Sequence, residues 1–265
     1  MINQFSKIVS SCLVLAVLLT SCGSDKKADE IAAQMVEHKD DIQTFRCETT
    51  LAVDGKSTQF IIDYDRTTKD MRLTQLNIEN EQLNLIRIDD QDYVSAGKDG
   101  QFQKVDRQTV GVIDYQYLMG MLVPEVYKSN ENTDVIKFTG FDKQIFESVK
   151  AAYNLSFVGY SEEDYTMDIA VKPDESGNYM ESCDIHIVAN QNEEISEVTI
   201  TSKISQINSI EPIEVPDDSD LHTHTNDANE TAVEEGDESE GEQNHDVDDS
   251  DEAANGGQIN FYWAA

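Results

Sequence analysis

Residues 45–65, FRCETTLAVDGKSTQFIIDYD, decide the fold. Phe45, Cys47, Leu51 and Val53 stand at alternate positions before the pair Asp54-Gly55, and Thr58, Phe60, Ile62 and Tyr64 do so after it. A period of two puts these side chains on one face of a pleated strand. Asp-Gly between two such runs is the signal of a tight antiparallel hairpin. The stretch therefore predicts two long paired strands with one apolar face.

The same pattern continues outward. Residues 70–90, DMRLTQLNIENEQLNLIRIDD, read as a second hairpin turning at Glu79-Asn80, and residues 91–106, QDYVSAGKDGQFQKVD, as two shorter strands around Gly97 and Gly100. Near the other end, DYTMDIAVKP (164–173), YMESCDIHIVAN (179–190) and EISEVTITSKISQI (194–207) read as three more strands, separated by PDESGN and NQNEE. Helical spacing appears in three places. ADEIAAQMVEHKDDIQTF (28–45) sets Ile31, Met35, Ile42 and Phe45 on one helix face. VIDYQYLMGMLVPEVY (112–127) reads as a short apolar helix closed by Pro124, followed by the strand DVIKFTGF (134–141). DKQIFESVKAAYNLSF (142–157) reads as a further short helix. The expected class is α+β: a curved antiparallel sheet, or half-barrel, with an N-terminal helix and a short helical insert packed on its concave side. This domain spans residues 28–216.

Charge bounds the function. The 265 residues carry a net charge of −34, from 53 Asp and Glu against 19 Lys and Arg. Such a chain is repelled by nucleic acid and by anionic head groups, so nucleic-acid binding is excluded. Residues 217–252 hold 16 acidic residues and no Lys or Arg, and the tail 217–265 has too little apolar surface to offset chain entropy. Disorder is expected there, with diffuse cations or a cationic protein as partner. His222 and His224, with Asp220 and Asp227, lack the four-ligand spacing of a structural metal site, and no metal is assigned. The closing INFYWAA, with the sole tryptophan Trp263, reads either as a patch that docks on the body or a partner, or as a loose end.

The first residues are a different kind of segment. MINQFSKIVSSCLVLAVLLTSC has Lys7 near its start and an apolar run over residues 13–19, too short to span a bilayer and suited to a signal peptide. Leu19-Thr20-Ser21-Cys22 resembles a bacterial lipobox. The resemblance implies removal of residues 1–21, a thioether-linked diacylglycerol on Cys22, palmitate-type acylation, and a tether over residues 22–27. Two or three acyl chains anchor firmly where one is marginal. The chain is thus expected to be exported and lipid-anchored, facing outside the cytoplasm at the cell membrane or outer membrane. Cys12 leaves with the signal peptide. Cys47 and Cys183 each lie on the apolar face of a strand, and two readings stay open: a disulfide between them, or two separate buried thiols.

The order of elements over residues 28–216, the lipobox and the ending INSIEPIEVP resemble the LolA/LolB and LppX/LprG superfamily of bacterial lipoprotein-type carriers. The resemblance implies an unclosed β-barrel plugged by helices, with a hydrophobic cavity between. The side chains that would line such a cavity are Phe60, Ile62, Leu73, Leu85, Ile88, Phe138, Ile185 and Ile187. They are equally what the core of any sheet contains. No nucleophile elbow, metalloprotease pair, phosphate loop or dinucleotide fingerprint occurs, so no catalytic residue and no cofactor is assigned. Two functions follow from this reading. One is a membrane-anchored, non-enzymatic binder or carrier of lipid or another hydrophobic ligand. The other is a surface-displayed interaction or envelope-maintenance lipoprotein with a filled core.

Overall fold

The computed structural model describes residues 25–98, 100–108, 113–129, 133–158, 161–191 and 194–217, and the backbone of 258–261. Cys22, the expected signal peptide over residues 1–21, and residues 218–257 and 262–265 of the acidic tail lie outside the described residues. β1 (Thr44–Val53) and β2 (Lys56–Asp65) form the expected hairpin, with Phe45 opposite Tyr64, Cys47 opposite Ile62 and Leu51 opposite Thr58. Asp54 and Gly55 take left-handed φ values of 48° and 80°, as a type I′ turn requires. The meander continues through β3 (Met71–Leu76), β4 (Gln82–Ile88), β5 (Gln91–Ala96) and β6 (Gln103–Val105). The later strands are β7 (Lys128–Ser129), β8 (Ile136–Gly140), β9 (Leu155–Val158), β10 (Tyr165–Pro173), β11 (Met180–Gln191), β12 (Glu194–Ser205) and β13 (Gln258–Phe261).

Eleven of these strands form one antiparallel sheet in the order β6-β5-β4-β3-β2-β1-β12-β11-β10-β8-β7. The two meanders join where β12 returns to β1, with Cys47 opposite Ile204 and Leu51 opposite Ile200. The sheet does not close, because β6 and β7 remain its edges. This is the expected half-barrel. Its inner face is apolar in register across strands: Phe138, Ile169, Ile185, Ile200 and Leu51 stand side by side and are buried.

Three helices cover that face. Asp25 caps α1 (Lys26–Glu37), its carboxylate accepting from Ala28 N at 3.2 Å, and it also accepts from Ser129 N at 2.7 Å and Ser129 Oγ at 2.9 Å. The Ser129 bonds hold its carboxyl below the usual range and pin the start of α1 to the edge strand β7. Asp114 caps α2 (Tyr115–Gly120), and Asp142 caps α3 (Lys143–Tyr153). Ala28, Ala32 and Met35 of α1, Tyr115 and Leu118 of α2, and Ile145, Val149 and Tyr153 of α3 are buried in the single core cluster.

Two differences from the sequence reading have local causes. The first helix stops at Glu37, and Phe45 belongs to β1. Residues 41–44 are held instead by Asn208, which accepts from Gln43 N at 2.7 Å and donates to Asp41 O at 2.9 Å. The third helix ends on Asn154, whose left-handed φ of 50° turns Leu155 into β9 rather than another helical turn. Cys47 and Cys183 are free thiols. β12 runs between their strands, so two strand spacings, roughly 9–10 Å, separate them where a disulfide needs Cα atoms within about 7 Å. Both thiols are buried in the structure.

Candidate functional site: a groove at the hairpin ends

One row of inward-facing side chains crosses seven strands: Cys183 (β11), Ser202 (β12), Thr49 (β1), Phe60 (β2), Gln75 (β3), Leu83 (β4) and Ala96 (β5). Its first half is closed. Thr49 Oγ1 and Ser202 Oγ share a hydrogen bond of 2.8 Å, Tyr153 Oη reaches Ser202 Oγ at 3.0 Å, and Cys47 Sγ lies 3.4 Å from Thr49 Oγ1. Tyr153, from α3, thus seals the row from above, and these polar groups are satisfied by one another.

Beyond Phe60 the row opens. Thr58, Gln75, Leu83 and Ala96 line a groove of about 1020 Å³ together with Leu76, Ile78, Gln82, Gly97 and the β3–β4 turn. That turn is built by Asn77. Its Oδ1 accepts from Glu79 N at 2.9 Å and Glu81 N at 2.8 Å, and its Nδ2 donates to Glu81 Oε2 at 2.9 Å. Asn80 completes the turn at φ 61°, and the rim carries Glu79, Glu81 and Lys98. Ile78 is half exposed there. Leu83 and Ile78 beside a polar rim suit an amphiphile better than a purely apolar or purely ionic molecule.

Gln75 is the unusual member. It is 91 % buried, and its Oε1 is buried with no hydrogen-bond partner. A buried acceptor left unpaired costs about 1–3 kcal/mol, and no protein donor meets this one beside the groove. Sequence reading did not single out Gln75. The available signal was its inward phase, two residues after Leu73 in an alternating strand.

The side chains expected to line a cavity are placed differently from the groove. Phe60, Ile62, Leu73, Leu85, Phe138, Ile185 and Ile187 lie on the inner face, packed in the core at no more than 7 % exposure. None of them lines the groove. Ile88 lies on the opposite face from Leu85, because three residues along a strand reverse the side. Phe138 and Ile185 also contribute to a depression of about 400 Å³ on the solvent face of β8 to β12, rimmed by Thr139, Asp168, Asp184 and His186. His186 is half-buried there beside exposed Asp184, on the polar side of β11. Among the described residues no three His, Cys, Asp or Glu side chains gather as a metal-ligand set.

An open antiparallel half-barrel, helix-filled at its centre and grooved at one end, is the class these features define. Neither a family model nor a curated protein matches the sequence. Among solved structures, the chain is similar to the lipoprotein LppX of Mycobacterium tuberculosis, at 10 % identity and a TM-score of 0.44 over 72 % of this chain and all of that one. It is also similar to LprF from Mycobacterium bovis, at 8 % and 0.43 over 73 % and 99 %. A DUF1329 family protein from Desulfovibrio piger aligns at 9 % and 0.24 over 69 % and 91 %. At these scores no ligand or partner passes from them to this chain.

Proposed function

We propose that this chain is an exported, lipid-anchored, non-enzymatic protein that binds a lipid or other amphiphilic small molecule in the groove at the β2–β5 hairpin ends. The observation that carries this reading is the groove itself: about 1020 Å³, lined by Ile78 and Leu83, with Gln75 among its lining residues and the Gln75 acceptor buried without a protein donor. Its size meets the range of about 300–1,000 Å³ typical of small-molecule sites. A hydroxyl or amide N–H on the ligand would satisfy Gln75 once the side chain turns toward it, while the chain of the ligand lies on the apolar wall. The anchor is Cys22, three residues before Asp25, which is bonded to Ser129 on β7. The tether therefore enters at the sheet edge opposite to β6 in strand order. Among the described residues no helix is long and apolar enough to cross a membrane, and acyl chains on Cys22 would supply the attachment.

Organic extraction of the purified protein followed by mass spectrometry tests this, alongside titration with a fluorescent fatty-acid probe. A co-purifying amphiphile, or probe binding weakened tenfold or more by Ile78→Asp with Leu83→Asp, is the expected result. The absence of both a co-purifying lipid and probe binding would sink the carrier reading. A second reading is favoured by one observation: the seven inward side chains named above are packed rather than arrayed around a void. On that reading the protein is an envelope lipoprotein with a filled core that acts through its acidic surface, and the same titration gives no signal.

A further inference from the structure

The inner row shared by Gln75 and Leu83 runs on into the β3–β4 turn. Asn77 N donates to Glu81 O at 3.0 Å, one rung beyond the paired residues Leu76 and Gln82. Asn77 follows Gln75 by two residues and Glu81 precedes Leu83 by two, so both keep the inward phase of their strands. Their side chains meet, Asn77 Nδ2 donating to Glu81 Oε2 at 2.9 Å, which holds the Glu81 carboxylate on the groove side. Along the strand that carboxylate starts about 7 Å from the level of Gln75. Glu79, at the tip of the same turn, also lines the groove.

Two independent features bear on the head group that this end of the groove accepts. The first is charge. Among the lining residues Lys98 is the cation, against the carboxylates of Glu79 and Glu81. All three are exposed, and none is in an ion pair among the described residues. The body adds to the same sign, with 38 acidic residues against 18 basic ones over residues 25–217. An anionic head is repelled by this field and a cationic one attracted. The second is Gln75, nine-tenths buried, whose Oε1 lacks a protein donor. An acceptor is served only by a ligand that brings an N–H or O–H, and an ionised carboxylate brings neither. A hydroxyl head serves Gln75 and leaves the carboxylates uncompensated. A quaternary ammonium compensates them and donates nothing. A primary ammonium does both, with three N–H donors.

Granted the groove as the ligand site, we propose that it selects an amphiphile whose head is a protonated primary amine over one with an anionic or a neutral head on the same chain. The ammonium lies at the β3–β4 turn, shared between the Gln75 acceptor and the carboxylates of Glu79 and Glu81, and the alkyl chain lies along Ile78 and Leu83.

Isothermal titration calorimetry on the purified full chain at about pH 7, where an alkylamine is protonated as lysine is, tests this. The probes are dodecylamine, dodecanol, dodecanoate and butylamine, all kept monomeric. Dodecylamine should bind at least about tenfold tighter than dodecanoate and about threefold tighter than dodecanol at about 10 mM salt, and its margin over dodecanoate should shrink at about 150 mM, as the screening length falls from roughly 30 Å to 8 Å. Glu79→Gln with Glu81→Gln keeps an acceptor for Asn77 Nδ2 and should erase most of that margin, whereas Lys98→Gln should widen it. Butylamine, which has the charge without the chain, should give no saturable signal. Equal affinities for the three dodecyl probes, a preference for dodecanoate, or a margin untouched by the two Glu replacements overturns the head-group selection and leaves the groove as a ligand site. A butylamine signal as strong as that of dodecylamine overturns the selection too, since that is attraction to the acidic surface at large. No binding of any dodecyl probe overturns the groove as a ligand site, and the selection with it.

Discussion

Arg87 and Asp92 face each other across the β4–β5 ladder and are joined by two parallel hydrogen bonds, Nε to Oδ1 at 2.6 Å and Nη2 to Oδ2 at 2.7 Å. The Asp92 side chain is fully buried and that of Arg87 nearly so. Gln108 completes the pair, its carbonyl accepting from Nη2 and its N–H donating to Oδ2, each at 2.7 Å. The pair locks the residues after β6 onto the sheet. Asp92→Asn leaves a buried guanidinium without its counter-charge, and a loss of about 3–5 kcal/mol is expected in urea unfolding. The double replacement Arg87→Met with Asp92→Leu should lose far less, since apolar packing often replaces a buried pair at little cost.

The same pair predicts an acid limb. Burial pushes the Asp92 carboxyl up, but the bonds from Arg87 and Gln108 outweigh it and leave the carboxyl below its ordinary value. A carboxyl depressed in the folded state contributes stability above its unfolded pKa, about 3.9, and that contribution is lost as pH falls through the depressed value. Stability measured from pH 6 to about pH 2 should therefore fall more steeply in the natural chain than in the double replacement. Equal slopes would remove Asp92 as a cause.

Much of this architecture is legible in residues 45–65 and 70–106, because period-two alternation and Asp-Gly or Asn turns state both strand and register. Elements fixed by a distant partner are not. The two-residue β7 exists where Ser129 meets Asp25 and Lys128 meets Lys137, which no local pattern announces. The end of α1 depends on Asn208, some 170 residues away in sequence. The groove escapes for a related reason. Alternation says that Phe60, Gln75 and Leu83 face inward, but only the reach of α3 and Tyr153 over the sheet decides which of them are covered.

The thiols make a second, chemical prediction. Burial pushes the Cys47 thiol up to about 11, with the Thr49 hydroxyl pulling back only in part, and burial pushes Cys183 higher still. The thiolate is the reactive form, so neither residue should react with a water-soluble disulfide reagent in the folded chain. Both should react once the chain is unfolded in denaturant without reductant. Failure to react after unfolding would mean that the two are oxidised.

Tyr153, Ser202 and Thr49 offer a network with a measurable coupling. Tyr153→Phe deletes one hydroxyl partner while Ser202 keeps Thr49, and about 1 kcal/mol of stability should go. Ser202→Ala strands the Tyr153 hydroxyl in the core and leaves Thr49 Oγ1 only the Cys47 thiol, and should cost about 2 kcal/mol. The double replacement should cost less than the sum, because the Tyr153–Ser202 bond is lost only once. Additive losses in urea unfolding would show that the 3.0 Å contact contributes nothing.

Gln75 separates stability from binding by the sign of its effect. In the free protein its Oε1 is buried and unpaired, which is an energetic debit of about 1–3 kcal/mol. Gln75→Leu removes that acceptor at similar volume and extends the apolar row from Phe60 to Leu83. The variant should unfold at higher urea concentration, by an equivalent of about 1 kcal/mol. If the acceptor serves a donor on the ligand, the same variant should bind a fatty-alcohol or monoacylglycerol probe more weakly while binding a plain hydrocarbon chain as well or better. Gln75→Glu should instead lose stability, because a buried carboxylate adds desolvation to an unmet acceptor. A Gln75→Leu chain that is less stable and equally good at binding the hydroxylated probe would place the value of this residue in packing, not recognition.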